Sequence, residues 1–156
     1  ITHAYEELAQ RDSNISIDYS PEWLQIGLAK CLADSRDEDL RRFVTTVGPH
    51  RDDVEILINN LPARTHASQG EQRTMALALR LALHRFIGQS VGEIPILILD
   101  DVLSELDPDR AKALLNHFPV GQVLITTASE LPIEAHISKK VQIKAGTIIS
   151  PKLASE

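Results

Sequence analysis

The chain has one cysteine, Cys31, in 156 residues. A single thiol closes no internal disulfide, and among Leu28, Ala29, Leu32 and Ala33 it reads as a small buried hydrophobe rather than a nucleophile. Aromatic residues make up only 4%, so the core must be aliphatic, which suits layered α/β packing better than a β-sandwich. Positive charge is not in excess. Lys and Arg number 16 against 22 Asp and Glu, a formal charge of -6. Bulk attraction to nucleic acid or anionic membranes is thereby excluded, and any DNA contact needs a local basic patch or another part of the protein. Long apolar runs are also missing: Ile94 to Leu99 is far too short to span a bilayer, and the first residues carry no signal-peptide pattern. These absences predict a soluble, cytoplasmic protein. Nor is there an internal repeat, and a chain of this length with 43% hydrophobic residues is expected to build one core.

What is present reads as alternating strands and helices. "ITHAYEELAQ" has helical spacing with no cap before it, so the chain is expected to be a fragment that starts inside a helix. "NISIDYS" alternates Ile15, Ile17 and Tyr19 like a strand; its Asn14-Ile15-Ser16 triplet is a chance match to a glycosylation site. Residues 22 to 45 read as helical, with "DSRDEDLRR" in solvent and Leu40, Phe43 and Val44 turned inward. "GPHRDD" at 48 to 53 is a turn and "VEILI" a strand. A long helix follows from about residue 68, then a loop at 88 to 93. "IPILILDD" and "GQVLITTAS" are short aliphatic runs of the type buried on both sheet faces. Between them lies "SELDPDRAKALLNHF", with Asp107 as N-cap and Pro108 in the first helical position. "KKVQIKAGTII" is a hairpin turning at Gly146, after which the last residues fray. Strand, helix, strand implies a parallel pair, and polar residues at its carboxyl end are the ones to question: Asp100, Asp101, Thr126 and Thr127.

Two features there need more than a local explanation. Ser68, Gln69, Gly70 and Glu71 form an S-x-x-E capping box, which accounts for Ser68 and Glu71. It leaves Gly70, which in the first turn of a helix costs roughly 0.5 to 1 kcal/mol relative to alanine. A glycine at a helix start lets an anion approach the unpaired N–H groups, and a phosphate is the obvious guest. Asp100 and Asp101, side by side after an aliphatic strand, repel each other unless something positive joins them. One of them could simply cap a turn. The chemical alternative is Mg²⁺ carrying phosphates, held by Asp100, with Asp101 orienting or deprotonating the attacking water.

In this order the motifs resemble the second half of an ABC-type ATPase head. "ASQGEQR" is similar to the ABC signature, "ILILDD" to the Walker B strand and "SELD" at 104 to 107 to the D-loop. "GPHRDD" narrows the resemblance, within the SMC-like group, to the RecF family of bacterial DNA replication and repair proteins. It runs over about residues 48 to 149. It implies that residues 1 to 47 are the end of a helical arm returning into the head, that 48 to 150 are the signature and Walker B lobe with a mostly parallel sheet flanked by helices, and that 151 to 156 are a tail.

The resemblance also implies roles. ATP and Mg²⁺ would be the cofactors. Ser68 would act in trans on the γ-phosphate of a second head's ATP, with Gln69, Gly70 and Glu71 around it. Asp100 would be the magnesium carboxylate, and Asp101 would stand where most ABC proteins carry a catalytic glutamate. Asp107 would cross the dimer interface, and Thr127 would replace the histidine that many of these proteins place after the next strand. The whole protein would be an ATP-dependent homodimer that binds DNA at single-strand gaps, helps load recombinase with RecO and RecR, and serves recombination and the SOS response. No G-x-x-x-x-G-K-[ST] occurs in the sequence, so the Walker A half is lacking and the chain alone is expected to be inactive. A shortened acid at Asp101 and a threonine at Thr127, which is no general base, fit a slow, switch-like ATPase.

Two other readings compete: a non-catalytic interaction module that keeps an ABC-like fold, and another SMC-like repair ATPase. The histidines help neither. His50 in its turn has no second histidine at ligand spacing, His66 reads as a loop residue, and His84 and His117 as structural. Lys139 and Lys140 read as a solvated hairpin flank rather than a DNA site.

Overall fold

The computed structural model describes residues 1–128, 131 and 136–153, the last four of these by their backbone alone. The chain divides into two compact units: Ile1, His3–Arg11 and everything described from Arg73 onward, and Thr2 with Asp12–Gln72.

The first unit holds the α/β layer. Its elements are α1 (Thr2–Ala9), the greater part of α5 (Gln69–Val91), β4 (Leu97–Asp100), a 3-10 turn (Val102–Glu105), α6 (Pro108–Asn116), β5 (Val123–Thr126) and the strands β6 (Lys139–Lys144) and β7 (Thr147–Leu153). β4 and β5 pair in parallel, Leu97 opposite Val123 and Asp100 opposite Thr126, with α6 in the connection between them. This is the expected strand, helix, strand arrangement. The core is aliphatic, as the shortage of aromatics requires: Leu8, Leu81, Leu99 and Leu114 are fully buried, joined by one ring, that of Tyr5. Arg85 donates to Glu7 at 2.7 Å and so ties α5 to α1.

Two expectations change in this unit. The strands are covered on one face only: Leu97 and Leu99 are buried, whereas Ile98 is 64% exposed and Leu124 also faces out. The aliphatic run therefore follows the pleat, with period two, instead of being buried throughout. The long helix, moreover, does not stop before residue 88 but continues to Val91. The glycine that ends it is Gly92, at φ 78°, whose N–H bonds the carbonyl of Gly88, a left-handed C-terminal cap. The hairpin is as expected, β6 and β7 antiparallel around Ala145 and Gly146, both at positive φ. Of the expected tail 151–156, residues 151–153 instead continue β7 opposite Lys139, Lys140 and Val141, and residues 154–156 lie outside the described residues.

The second unit is built on an antiparallel sheet of β1 (Ile15–Asp18), β2 (Glu55–Ile58) and the short β3 (Leu61–Pro62), with helices α2 (Trp23–Ile26), α3 (Leu28–Arg42) and α4 (Ala63–His66). Asn59 and Asn60, both left-handed, make the two-residue turn from β2 to β3, a conformation their short polar side chains tolerate. The expected single helical stretch of 22 to 45 is split at Gly27, whose φ of 100° no other residue adopts easily. α3 buries none of its residues. Leu40 is 62% and Phe43 95% exposed, and Val44 is exposed too, so they do not turn inward: charged residues interrupt every face of α3 and leave no continuous apolar stripe. Cys31 on the same helix is half-buried rather than buried.

Candidate nucleotide-facing site

Each half of the expected site is assembled within one unit. In the second unit the capping box forms as the sequence predicts. The N–H of Ser68 donates to Glu71 Oε2 at 2.8 Å, the Ser68 hydroxyl donates to the same oxygen at 2.8 Å, and the Glu71 N–H returns a bond to Ser68 Oγ at 3.3 Å. Gln69 and Gly70 follow in the first turn of α5. Here Ser68 is engaged with a carboxylate lying over the helix start, so a phosphate approaching it must displace Glu71. Gln72, which was not among the expected site residues, holds the approach to the helix: its Nε2 donates to the carbonyls of Ala67 at 3.0 Å and of Ala63 and Arg64 at 3.3 Å. These bonds gather the end of α4, where the Ala63 carbonyl also accepts from the Ala67 N–H at 3.2 Å.

In the first unit the carboxyl ends of β4 and β5 bring Asp100, Asp101 and Thr126 together. Thr126 Oγ1 donates to Asp100 Oδ1. The Asp101 N–H reaches both the carbonyl and the hydroxyl of Thr126 at 3.1 Å. Asp101 then leaves the strand in the left-handed region, at φ 49°, and Ser104 Oγ donates to its carbonyl at 2.8 Å and its Oδ2 at 3.0 Å. The two adjacent carboxylates are thus each relieved by a hydroxyl: Asp100 by Thr126 and Asp101 by Ser104. Thr126 touches the aspartate pair; Thr127 lies just past the strand and is half-buried. Asp107 is the expected N-cap of α6. Its Oδ1 accepts from Arg110 N and its Oδ2 from Arg110 Nη1, both at 2.9 Å, so both oxygens serve its own helix.

Among the described residues no three His, Cys, Asp or Glu side chains gather as a metal cage. Mg²⁺ typically keeps most of its water and takes one or two carboxylates plus phosphate oxygens. Asp100 is exposed with one oxygen, Oδ2, outside the Thr126 bond, and suits that role.

The histidines are structural or peripheral. His84, buried in α5, donates through Nε2 to the Pro95 carbonyl at 2.7 Å, and His117 Nδ1 caps α6 on the Ala113 carbonyl at 2.7 Å. His66 pairs with Thr65. His50 and Arg51 both bond the Thr45 carbonyl, closing the "GPHRDD" turn. Asp52 in that turn accepts from Tyr19 OH at 2.7 Å and from Trp23 Nε1 at 2.9 Å. Facing Asp52 pushes the Tyr19 phenol above its ordinary value, chiefly through that hydrogen bond.

Sequence comparison places these residues in a family. The chain is 46% identical over 109 residues to the DNA replication and repair protein RecF of Clostridium botulinum (strain ATCC 19397 / Type A), covering 70% of this chain and 30% of that protein. RecF of Heliobacterium modesticaldum is 46% identical over 123 residues, 78% of this chain and 33% of its own length. RecF of Lysinibacillus sphaericus (strain C3-41) is 41% identical over 140 residues, 87% and 38%. The chain belongs to the RecF family. It spans about a third of the length of these relatives, matching their C-terminal part. Two solved structures agree: the recombination mediator protein RecF with ATPrS (TM-score 0.68, 30% identity, 94% of this chain and 41% of that one) and with ATP (TM-score 0.66, 29% identity, 94% and 43%), both described as belonging to the RecFOR pathway. No family model matches. Among the described residues no helix is long and apolar enough to cross a membrane.

Proposed function

We propose that this chain is the signature and Walker B lobe of a RecF head, acting with a Walker A half in an ATP-dependent DNA repair protein. The observation that carries the reading is the meeting of Asp100, Asp101 and Thr126 at the carboxyl end of a parallel strand pair, where α/β sheets place ligands. Residues 1–47 are the returning arm and the lobe begins at 48, its last strand, β7, running to Leu153.

Each residue then has a task. Asp100 offers an oxygen to the ion that accompanies the nucleotide, and Thr126 orients it. When bound, Mg²⁺ supplies charge neutralisation at the phosphates. Asp101 orients the attacking water through the carboxylate oxygen that Ser104 leaves open. Ser68, Gln69 and Gly70 present a helix start to the γ-phosphate on a second head, while Glu71 gives up Ser68 as that phosphate arrives. Thr127 lines the phosphate side, and Asp107 fixes the turn that meets the second head. The assembled protein dimerises on ATP, binds DNA and works with RecO and RecR in the cytoplasm. Support for the partners comes from the RecFOR pathway of the similar structures.

The test uses the full-length protein, with the Walker A half present, and follows dimerisation by light scattering with and without Mg-ATP. The wild type should dimerise on ATP. Ser68→Arg should abolish this while ATP binding to the single head stays nearly intact. ATP binding without dimerisation in the wild type overturns the reading and favours an interaction module that keeps the fold only.

A further inference from the structure

The segment between the aspartate pair and α6 is short, and the backbone bonds at its two ends are weak. The bonds that join the 3-10 turn Val102–Glu105 to its flanks are long: Ser104 N to Asp101 O is 3.3 Å and Leu106 N to Leu103 O is 3.4 Å, against about 2.9 to 3.0 Å for a good N–H···O bond. The better bonds come from side chains at its two ends. Ser104 Oγ holds the Asp101 end at 2.8 and 3.0 Å. At the other end Arg73 Nη1 donates to the carbonyl of Glu105 at 3.2 Å. Arg73 stands on α5 five residues after Ser68. Its Nε lies 4.0 Å from Glu105 Oε2 with both side chains about half exposed, and an ion pair that open adds little. The carbonyl bond is the substantive link, since a guanidinium is a rigid planar donor that cannot lose its proton.

We propose that Arg73 is a positioning residue that clamps the Asp101–Asp107 turn to helix α5, so that the orientation of this turn follows the helix that also begins at the signature serine. The proposal rests on the reading of this lobe as part of an ATP-switched head and assigns that head an internal coupling. Asp107 is spoken for by Arg110 at both oxygens, so it serves α6 and leaves Arg73 to hold the segment at Glu105. A head whose α5 start has engaged a phosphate then presents the turn to its partner in one orientation. A head without the clamp presents it in many.

The experiment compares full-length wild type, Arg73→Ala and Arg73→Lys, by hydrogen exchange at the amides of residues 103–106 and by Mg-ATP-dependent dimerisation. Losing one charge-assisted bond at an exposed site should speed exchange there roughly fivefold in Arg73→Ala and weaken ATP-driven dimerisation by a similar factor, with ATP affinity unchanged at dilutions where the heads are monomeric. Arg73→Lys keeps the charge and the apolar stem but loses the fork, and should fall between. It also serves as the test if the alanine variant does not fold. Unchanged exchange in both variants overturns the clamp. Faster exchange with unchanged dimerisation overturns the coupling. A wild type that binds ATP without dimerising defeats the ATP-switch reading and the coupling with it, while the exchange comparison still decides whether Arg73 holds the turn.

Discussion

The two longest helices are held by different physics. α5, 23 residues, buries Thr74, Met75, Leu77, Ala78, Leu81 and His84 along one stripe, the spacing of three and four that a helix needs to face a core. α3, 15 residues, buries none. It is supported locally: Lys30 pairs with Asp34 at 3.0 Å, Arg41 and Arg42 both pair with Glu38, and Asp39 accepts from Thr46 Oγ1 at 2.6 Å and from Thr46 N at 2.9 Å. Facing Asp34 raises the Lys30 ammonium, and the Thr46 hydroxyl above all holds the Asp39 carboxyl below its ordinary value. Surface pairs each contribute only a few tenths of a kcal/mol, so helicity in α3 rests on many small local terms and in α5 on a few large tertiary ones.

Three substitutions would sharpen or break that contrast. Leu81→Ala removes a fully buried side chain from α5 and should cost about 2 to 5 kcal/mol, read as a lower denaturant midpoint. A loss below about 1 kcal/mol would mean that α5 is no more core-dependent than α3. Thr46→Val tests α3 through pH. The folded carboxyl of Asp39 is depressed, so its contribution is fully present above the ordinary carboxylate value and is lost as pH falls through the lowered one. Without the Thr46 hydroxyl the Asp39 titration, followed by carboxyl NMR, should move up toward its ordinary value of 3.8. An unmoved titration would assign the depression to the other neighbours. Leu40→Ser should be smallest, within about 0.5 kcal/mol, as for an exposed site with no packing role. A large loss of stability there would reveal a covered face on α3.

The same contrast explains how much could be read from the sequence. The capping box at Ser68, the N-cap at Asp107 and the hairpin at Gly146 are local signals, each within a few residues, and all are present in the fold, as is the parallel pair implied by the order strand, helix, strand. The inward turn assigned to Leu40, Phe43 and Val44 depended on a partner surface, which no local pattern states. The double burial assigned to "IPILILDD" and "GQVLITTAS" failed similarly, because a continuous aliphatic run does not say how many of its faces are covered. At the site, the aspartates and the signature serine were legible from residue type and order. Thr126 was marked with them by its place at the end of the second strand, whereas the roles of Ser104, Gln72 and Arg73 were not legible, since they lie in hydrogen bonds to groups that only the folded chain brings near. A serine three residues after Asp101 and an arginine just past the capping box were the available hints.

The left-handed backbone at Asp101 restricts which residues that position can use. Aspartate and asparagine reach this conformation at low cost among the non-glycine residues, whereas other side chains meet a penalty of roughly 1 to 2 kcal/mol. A glutamate at 101 would therefore have to beat a backbone penalty before its longer arm could reach any water. The shorter acid therefore suits the chain's path out of β4 whatever else the position does, and geometry alone narrows the residues that fit there cheaply.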